Sequence, residues 1–438
     1  MTAKETLKRY FSHDSFRGEQ ETLITEILAG KDVLGIMPTG AGKSICFQVP
    51  ALIMEGITLV VSPLISLMKD QVNALTQLGI AAAYINSSLT EVQIEKALRN
   101  AHSGAYKLIY VAPERLLTAN FINFAKSVQI SMLVIDEAHC ISQWGHDFRP
   151  SYAQIPEFIA NLPKRPLVTA FTATATPKVQ DDIINLLQLD KPTILVTGFD
   201  RPNLYFEVQK PENKFSALLA FLEDKENHSG IVYCSSRAAV EGICQELQQK
   251  GYKASCYHAG LSDEERHDNQ DDFLYDRVQV MVATNAFGLG INKPNIDFIV
   301  HYHSPKNIES YYQEAGRAGR DGRPAVCVLF YSGLDVRRNM WMIEKGRESK
   351  DSRVFKRDRA KLREMTLYCT TYDCLRGHIL KYFGENPPRN CGHCSNCDTN
   401  FDAIEISSTV LKTWAFVVSA KEKLGRRLKK RPEETDSP

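Results

Sequence analysis

The chain has 438 residues, 43% hydrophobic and 24% charged, with a formal net charge of +1. At roughly 150 residues per domain, this length asks for two to four domains, and the balance excludes disordered, collagen-like and membrane-embedded classes. No apolar run spans a bilayer and Met1 to Tyr10 has no signal-peptide core, so the expected location is cytoplasmic (nucleoid-associated in a bacterium) or nuclear in a eukaryote. A near-zero charge leaves a nucleic-acid partner open, because a basic groove and an acidic exterior cancel in the sum.

In chain order, a first set of apolar, β-rich runs lies at Val33–Met37, Thr58–Val61, Leu108–Val111, Met132–Ile135 and Val168–Phe171. A second set lies at Gly230–Cys234, Val278–Val282, Phe298–Tyr302 and Ala325–Tyr331. Continuous apolar strands alternating with helical patterns predict parallel sheets covered on both faces, hence an α/β fold in two lobes. A hinge is expected at Pro192–Glu212, around Phe199-Asp-Arg-Pro-Asn203. The boundaries read 1–205 and 206–334 for the lobes, 335–400 for a helical hairpin with a cysteine-rich subdomain, and 401–438 for a tail. In that tail Asp402–Ala420 suits one amphipathic helix, and Lys421–Arg431 is densely basic.

The first apolar run ends in Pro38-Thr-Gly-Ala-Gly-Lys-Ser44, which resembles a phosphate-binding P-loop. Gly40 and Gly42 let backbone N–H groups curl around phosphate oxygens, with Thr39 in the same turn. Lys43 supplies positive charge to the β- and γ-phosphates, Ser44 a ligand for Mg²⁺, and the following helix points its dipole at the anion. The strict pattern places Gly where this chain has Met37. Met132–Ile135 then delivers Asp136-Glu-Ala-His139, a Walker B arrangement. Asp136 would hold Mg²⁺ largely through water, and Glu137 would polarise the attacking water. In Gln313-Glu-Ala-Gly-Arg-Ala-Gly-Arg-Asp-Gly322, Arg317 and Arg320 share a helix face, and Arg320 is the favoured finger for the γ-phosphate. These motifs together predict an ATP-hydrolysing enzyme.

There are 11 cysteines, an odd number in a chain without a secretion signal, so disulfides are not expected. Seven are scattered through apolar runs. The other four, Cys374, Cys391, Cys394 and Cys397, crowd together, the last three spaced C-x₂-C-x₂-C. Four thiolates favour a closed, structural Zn²⁺ site, with an iron–sulfur cluster as the rival. His378 and His393 lie close by without being expected ligands.

The order of these motifs resembles a superfamily-2 helicase, and further stretches are similar to the RecQ family. Phe16-Arg17 and Gln20 look like that family's adenine-recognition motif. The resemblance implies stacking by Arg17, a base-edge bond from Gln20, and a base contact from His13, where the family commonly has an aromatic. Val61-Ser-Pro-Leu-Ile-Ser-Leu-Met-Lys-Asp-Gln71 resembles a strand-contacting motif and makes Ser62 a candidate. His139-Cys-Ile-Ser-Gln-Trp-Gly-His-Asp-Phe-Arg-Pro150 looks like the RecQ aromatic-rich loop. There Trp144 and Phe148 are candidates to stack on unpaired bases, and Arg149 to meet a phosphate. Gln313 falls in the nucleotide-facing motif of the second lobe. The resemblance covers roughly Phe11 to Asp398 and implies RecA-like lobes, with Zn²⁺ rather than iron on the four cysteines.

The implied activity is ATP-driven 3′-to-5′ translocation and unwinding of DNA in repair or recombination, by a monomer acting on single-stranded and tailed duplex DNA with ATP, Mg²⁺ and Zn²⁺. Too few residues follow Cys397 for a complete winged helix, so the tail reads as a partial remnant. That keeps a DNA- or RNA-stimulated translocase, or an ATP-regulated annealing protein, as alternatives.

Overall fold

The computed structural model describes residues 1–288, 293–345 and 352–398; the expectations for the tail at 401–438 lie outside them. The first lobe has seven strands: β1 Val33–Ile36, β2 Ile57–Val61, β3 Ala82–Ile85, β4 Leu108–Val111, β5 Ile130–Ile135, β6 Leu167–Thr172 and β7 Thr193–Val196. They form one sheet in the order β3-β4-β2-β5-β6-β1-β7, with every pair parallel. The second lobe has β8 Leu204–Gln209, β9 Gly230–Tyr233, β10 Ala254–Tyr257, β11 Val280–Ala283, β12 Phe298–His301 and β13 Ala325–Phe330, ordered β10-β11-β9-β12-β13-β8 and again parallel.

The apolar runs explain this topology. Successive strand residues point to opposite faces, so Leu34, Leu59, Val61, Leu133 and Ile135 join one core, whereas Val33, Val60, Met132 and Val134 join the other. A strand buried on both sides needs helices on both sides, which forces crossover connections and a parallel sheet. One buried carboxylate fixes where β1 begins. Asp32 takes a bidentate bond from Arg165 at 3.1 and 2.5 Å and accepts from the N–H groups of Val168 and Asp190 at 2.9 and 2.8 Å. That ties β1 to the start of β6 and to the segment leading into β7.

Two expectations need correction. Pro192–Glu212 is not a continuous hinge: it holds β7 and β8, and only Thr197–Asn203 connects them. Because β8 begins at Leu204 inside the second sheet, the lobe boundary falls slightly before residue 205. Beyond β13, helices at Gly333–Lys345 and Ser352–Thr370 form the expected hairpin, followed by helices at Leu375–Tyr382 and Ser395–Asp398. The cysteine-rich end reaches back to the second lobe, where Cys394 bridges to Phe206 on β8.

Candidate functional site

Nucleotide-binding motifs stand at the carboxyl ends of β1 and β5, with β6 between them, the usual ligand position in an open parallel sheet. At the end of β1 the chain turns through Gly40 (φ +85°) and Gly42 (φ +79°), a region that side chains with a Cβ avoid. Gly42 caps the helix Lys43–Ile53, whose first N–H groups face the turn. Lys43 Nζ lies 3.3 Å from the carbonyl of Met37, which keeps the ammonium folded over the loop.

At the end of β5, Glu137 adopts φ +47° and ψ +48°. A non-glycine residue in the left-handed region is strained, and such strain concentrates where a side chain must be aimed. Its N–H donates to Asp136 Oδ1 at 3.0 Å, and Tyr152 donates to the Asp136 carbonyl at 2.9 Å. Glu137 Oε2 lies 3.3 Å from His139 Nδ1, which is also 2.8 Å from the Thr172 hydroxyl. Thr172 accepts from Thr174 N–H and donates to its carbonyl, so Nδ1 is assigned the proton and donates.

The two adjacent carboxyls titrate as a pair. Burial and then the Glu137 charge push Asp136 up to about 7. Burial raises Glu137 as well, but the His139 hydrogen bond and the Lys43 charge outweigh it and hold Glu137 down at about 2. Glu137 is therefore the ionised member of the pair. A carboxylate opposed by burial and by its neighbour is one that a hard divalent cation would stabilise, and Asp136 and the Ser44 hydroxyl are the oxygen donors that the motifs offer for one.

Across the cleft, Arg320 packs against the phosphate loop: a Cβ on Gly40 would lie 3.2 Å from Arg320 Cγ. Burial, then the nearby Arg317, pushes its guanidinium down to about 9. Arg317 instead bonds the Gly288 carbonyl of its own lobe. A cavity of about 230 Å³ opens between the lobes, lined by Glu137, His139 and His146 on one side and Gln313, Glu314 and Arg317 on the other. Two histidines bridge it: His146 stacks on His139 with centroids 4.1 Å apart, and its Nε2 is 3.2 Å from Gln313 Oε1.

The four clustered cysteines bring their sulfurs within 4.8 Å of one another, Cys391 and Cys397 at 3.9 Å. Zn–S bonds of about 2.3 Å place tetrahedral sulfurs about 3.8 Å apart, so the cluster fits. Cys374 is also the N-cap of Leu375–Tyr382, its sulfur accepting from Gly377 N–H at 3.2 Å. His378 and His393 turn their rings onto Tyr368 and Tyr205, away from a ligand role.

Residues 17–183 match the DEAD/DEAH box helicase family, 213–322 the helicase conserved C-terminal domain, and 334–398 the RecQ zinc-binding domain. The chain is 46% identical over 429 residues to the ATP-dependent DNA helicase RecQ of Bacillus subtilis, covering 97% of itself and 72% of that protein. The chain belongs to the RecQ family. The RecQ helicase of Pasteurella multocida is 43% identical over 94% of the chain, which spans 66% of its length. Among solved structures, the Mycobacterium smegmatis helicase Lhr bound to ssDNA and AMP-PNP shares the fold, with a TM-score of 0.61, 20% identity, and 78% of this chain against 49% of that one.

The structure gives the surroundings of the residues that the RecQ resemblance singled out. His13 and Arg17 are exposed on the loop before Gln20–Leu28, free to meet a base. Gln20 is buried and committed to the loop itself: Nε2 donates to the carbonyls of Ala41 and Gly42 at 3.0 and 3.1 Å, while Oε1 accepts from Arg17 N–H. It therefore ties the segment at Arg17 to the Ala41–Gly42 turn. Thr39 donates its hydroxyl to Gly316 across the cleft at 3.1 Å. Ser62 is fully buried at the end of β2 and does not reach a strand.

In the RecQ aromatic-rich loop, Trp144 is 40% exposed, with Lys178 Nζ 3.0 Å above its ring, and Phe148 is half-buried. Arg149 is engaged inside the loop, on Asp147 and on the Pro63 carbonyl at 2.7 Å, contacts that help fix the loop's shape. Motif reading missed the loop's anchors. Lys361 Nζ bonds the Trp144 carbonyl and Glu309 Oε1, each at 2.7 Å, and Arg357 bonds the Gln143 carbonyl. Both lie on the helix Ser352–Thr370, whose basic sequence reads as a solvated face until its partners are known.

Proposed function

We propose that the protein is an ATP-dependent DNA helicase that translocates 3′ to 5′ along a single strand and parts the duplex ahead of it, in DNA repair or recombination. The observation that carries this reading is the pairing across the cleft of Gly40 with Arg320 and of His146 with Gln313. Each lobe supplies half of a phosphate-facing site, so closure of the lobes and hydrolysis are one event.

ATP would sit on the Gly40–Ser44 turn, its phosphates facing the N-terminus of Lys43–Ile53 and the Lys43 ammonium, with His13 and Arg17 against the base. Mg²⁺, held by Ser44 and Asp136, would neutralise charge on the β- and γ-phosphates. Glu137, kept ionised by His139 and Lys43, takes the proton of the attacking water. Arg320 meets the charge that develops on the γ-phosphate. A base stacked on Trp144 would shift the loop that carries His146, and through His139 that shift reaches Glu137. The four-cysteine site holds zinc as a structural element.

ATP hydrolysis is measured with and without single-stranded DNA or RNA, alongside unwinding of a 3′-tailed duplex, with Glu137→Gln in parallel. DNA-stimulated hydrolysis with unwinding is expected. Stimulation without unwinding would reduce the reading to a translocase, stimulation by RNA alone would change the substrate, and no stimulation by either polymer would overturn the motor reading.

A further inference from the structure

Arg201 lies in the Thr197–Asn203 connection between the lobes, and no step above uses it. Among the described residues its guanidinium is met by carbonyl oxygens from two places. One nitrogen donates to Thr39 at 3.3 Å and Gly316 at 3.0 Å; the other donates to Ala318 at 2.8 Å and Gly319 at 3.0 Å. Thr39 belongs to the phosphate loop of the first lobe. Gly316 to Gly319 is the segment of the second lobe that carries Arg317 and leads into Arg320. The contact is close enough to require glycine: a Cβ on Gly316 would lie 2.6 Å from Thr39 Oγ1. Asn203, two residues on, adds bonds to Gly319 and Arg323 at 2.8 and 2.9 Å.

The other side of this connection is gripped by the zinc subdomain. Arg376 donates to the Asp200 carboxylate and to the carbonyls of Arg201 and Leu204, each at 2.6 Å. Phe383 stacks on Phe199 with centroids 4.3 Å apart, and Glu385 accepts from Phe199 N–H at 2.6 Å. A half-buried guanidinium without a carboxylate is costly unless its donors are satisfied, and here main-chain oxygens from both lobes satisfy them. An arginine serving only its own turn would find its partners within that turn.

We propose that Arg201 is a positioning residue for ATP hydrolysis, holding the loop of Arg317 and Arg320 against the phosphate loop while the zinc subdomain, through Arg376, Phe383 and Glu385, sets where Arg201 stands. Arg201 touches no reacting atom; it acts through Arg320. The planar fork spans two loops at once, which an ammonium cannot do. This assignment rests on the nucleotide-hydrolysis reading, and on its account the zinc subdomain bears on the chemical step as well as on folding.

The test uses the full chain at saturating single-stranded DNA, comparing Arg201→Ala, Arg201→Lys, Arg320→Ala, the Arg201→Ala/Arg320→Ala double variant, and Arg376→Ala, each checked for zinc content and thermal midpoint. Arg201→Ala should lower kcat about tenfold or more, with KM for ATP and DNA affinity within about threefold of the parent. Arg201→Lys should recover only part of the rate, and Arg376→Ala should lower kcat in the same direction by less. The double variant should be no slower than Arg320→Ala alone, because a residue that acts only through another adds nothing once that residue is gone. A general loss of structure would instead multiply the two defects. An unchanged kcat in Arg201→Ala, a change confined to KM, or multiplying defects would each overturn the proposal. If Arg201→Ala does not fold, unchanged kcat in both Arg201→Lys and Arg376→Ala overturns it instead. A parent chain that hydrolyses no ATP is a failure of the nucleotide reading, seen before any variant is made.

Discussion

The imidazole of His146 lies on that of His139, with planes inclined by only 18°. His139 closes the carboxylate motif and opens the aromatic-rich loop, and His146 lies further along it, so the stack is a contact by which the far part of that loop reaches Glu137. His146→Ala should reduce the ratio of DNA-stimulated to basal hydrolysis by about fivefold or more, the size of a typical coupling between sites. Rates with and without single-stranded DNA give the ratio; an unchanged ratio would exclude the stack from coupling.

The same histidine predicts a pH dependence. Burial, then the adjacent His139, pushes His146 down to about 3 from an ordinary value of 6.5. Between those values the unfolded chain binds a proton that the folded chain refuses, so this contribution to stability is lost as pH falls below about 6.5. Replacing His146 with Gln removes the effect. The thermal midpoint of His146→Gln should therefore drop less than that of the parent between about pH 7.5 and about pH 5.5, and parallel curves would contradict the assignment.

Glu137→Gln keeps the shape of the side chain and removes its basicity. The kcat for ATP should fall by about 10²–10⁴, the usual worth of a positioned base, while a non-hydrolysable ATP analogue still binds. Loss of analogue binding would mean that Glu137 holds the nucleotide instead.

Cys394 is buried inside the cysteine cluster and bridges to β8. Cys394→Ser should lose zinc, by metal analysis of the purified chain, and unfold the cysteine-rich end before the first lobe. Limited proteolysis should then cut between about residues 370 and 398 first; equal resistance to the parent would show that the metal does not hold this end.

Asp32→Ala leaves the N–H groups of Val168 and Asp190 without their acceptor and frees Arg165. Arg165 is partly exposed, which discounts the ion pair, so a loss of about 2–4 kcal/mol is expected from denaturant unfolding. A loss within error would assign the cost of these buried donors to solvent.

Which strands were legible in the sequence follows from their place in the sheets. The nine runs that read as strands are all interior, and the four that did not, β3, β7, β8 and β10, are the edges of the two sheets. Edge strands are covered less completely, as at Ile194 and Val196, both exposed, and β8 and β10 interleave polar residues; β3 and β7 are short apolar runs that motif reading passed over. The four clustered cysteines and the candidate nucleotide motifs were legible because their chemistry needs particular residues at fixed spacing. Ser62, Gln20 and Arg149 belong to motifs that were recognised, but only packing decides which way each side chain faces. Arg201, Lys361 and Arg357 were not legible as contacts, because their loop partners are backbone carbonyls, which any residue supplies, and the Glu309 carboxylate that meets Lys361 lies far off in sequence.

Through the Cys394 bridge to Phe206, the metal-binding end covers part of the free margin of β8, the outermost strand of the second sheet. An uncovered margin offers unpaired amides and carbonyls to any other extended chain. Stripping the metal would therefore make the second lobe adhesive, and self-association at a sheet border would precede any loss of its interior.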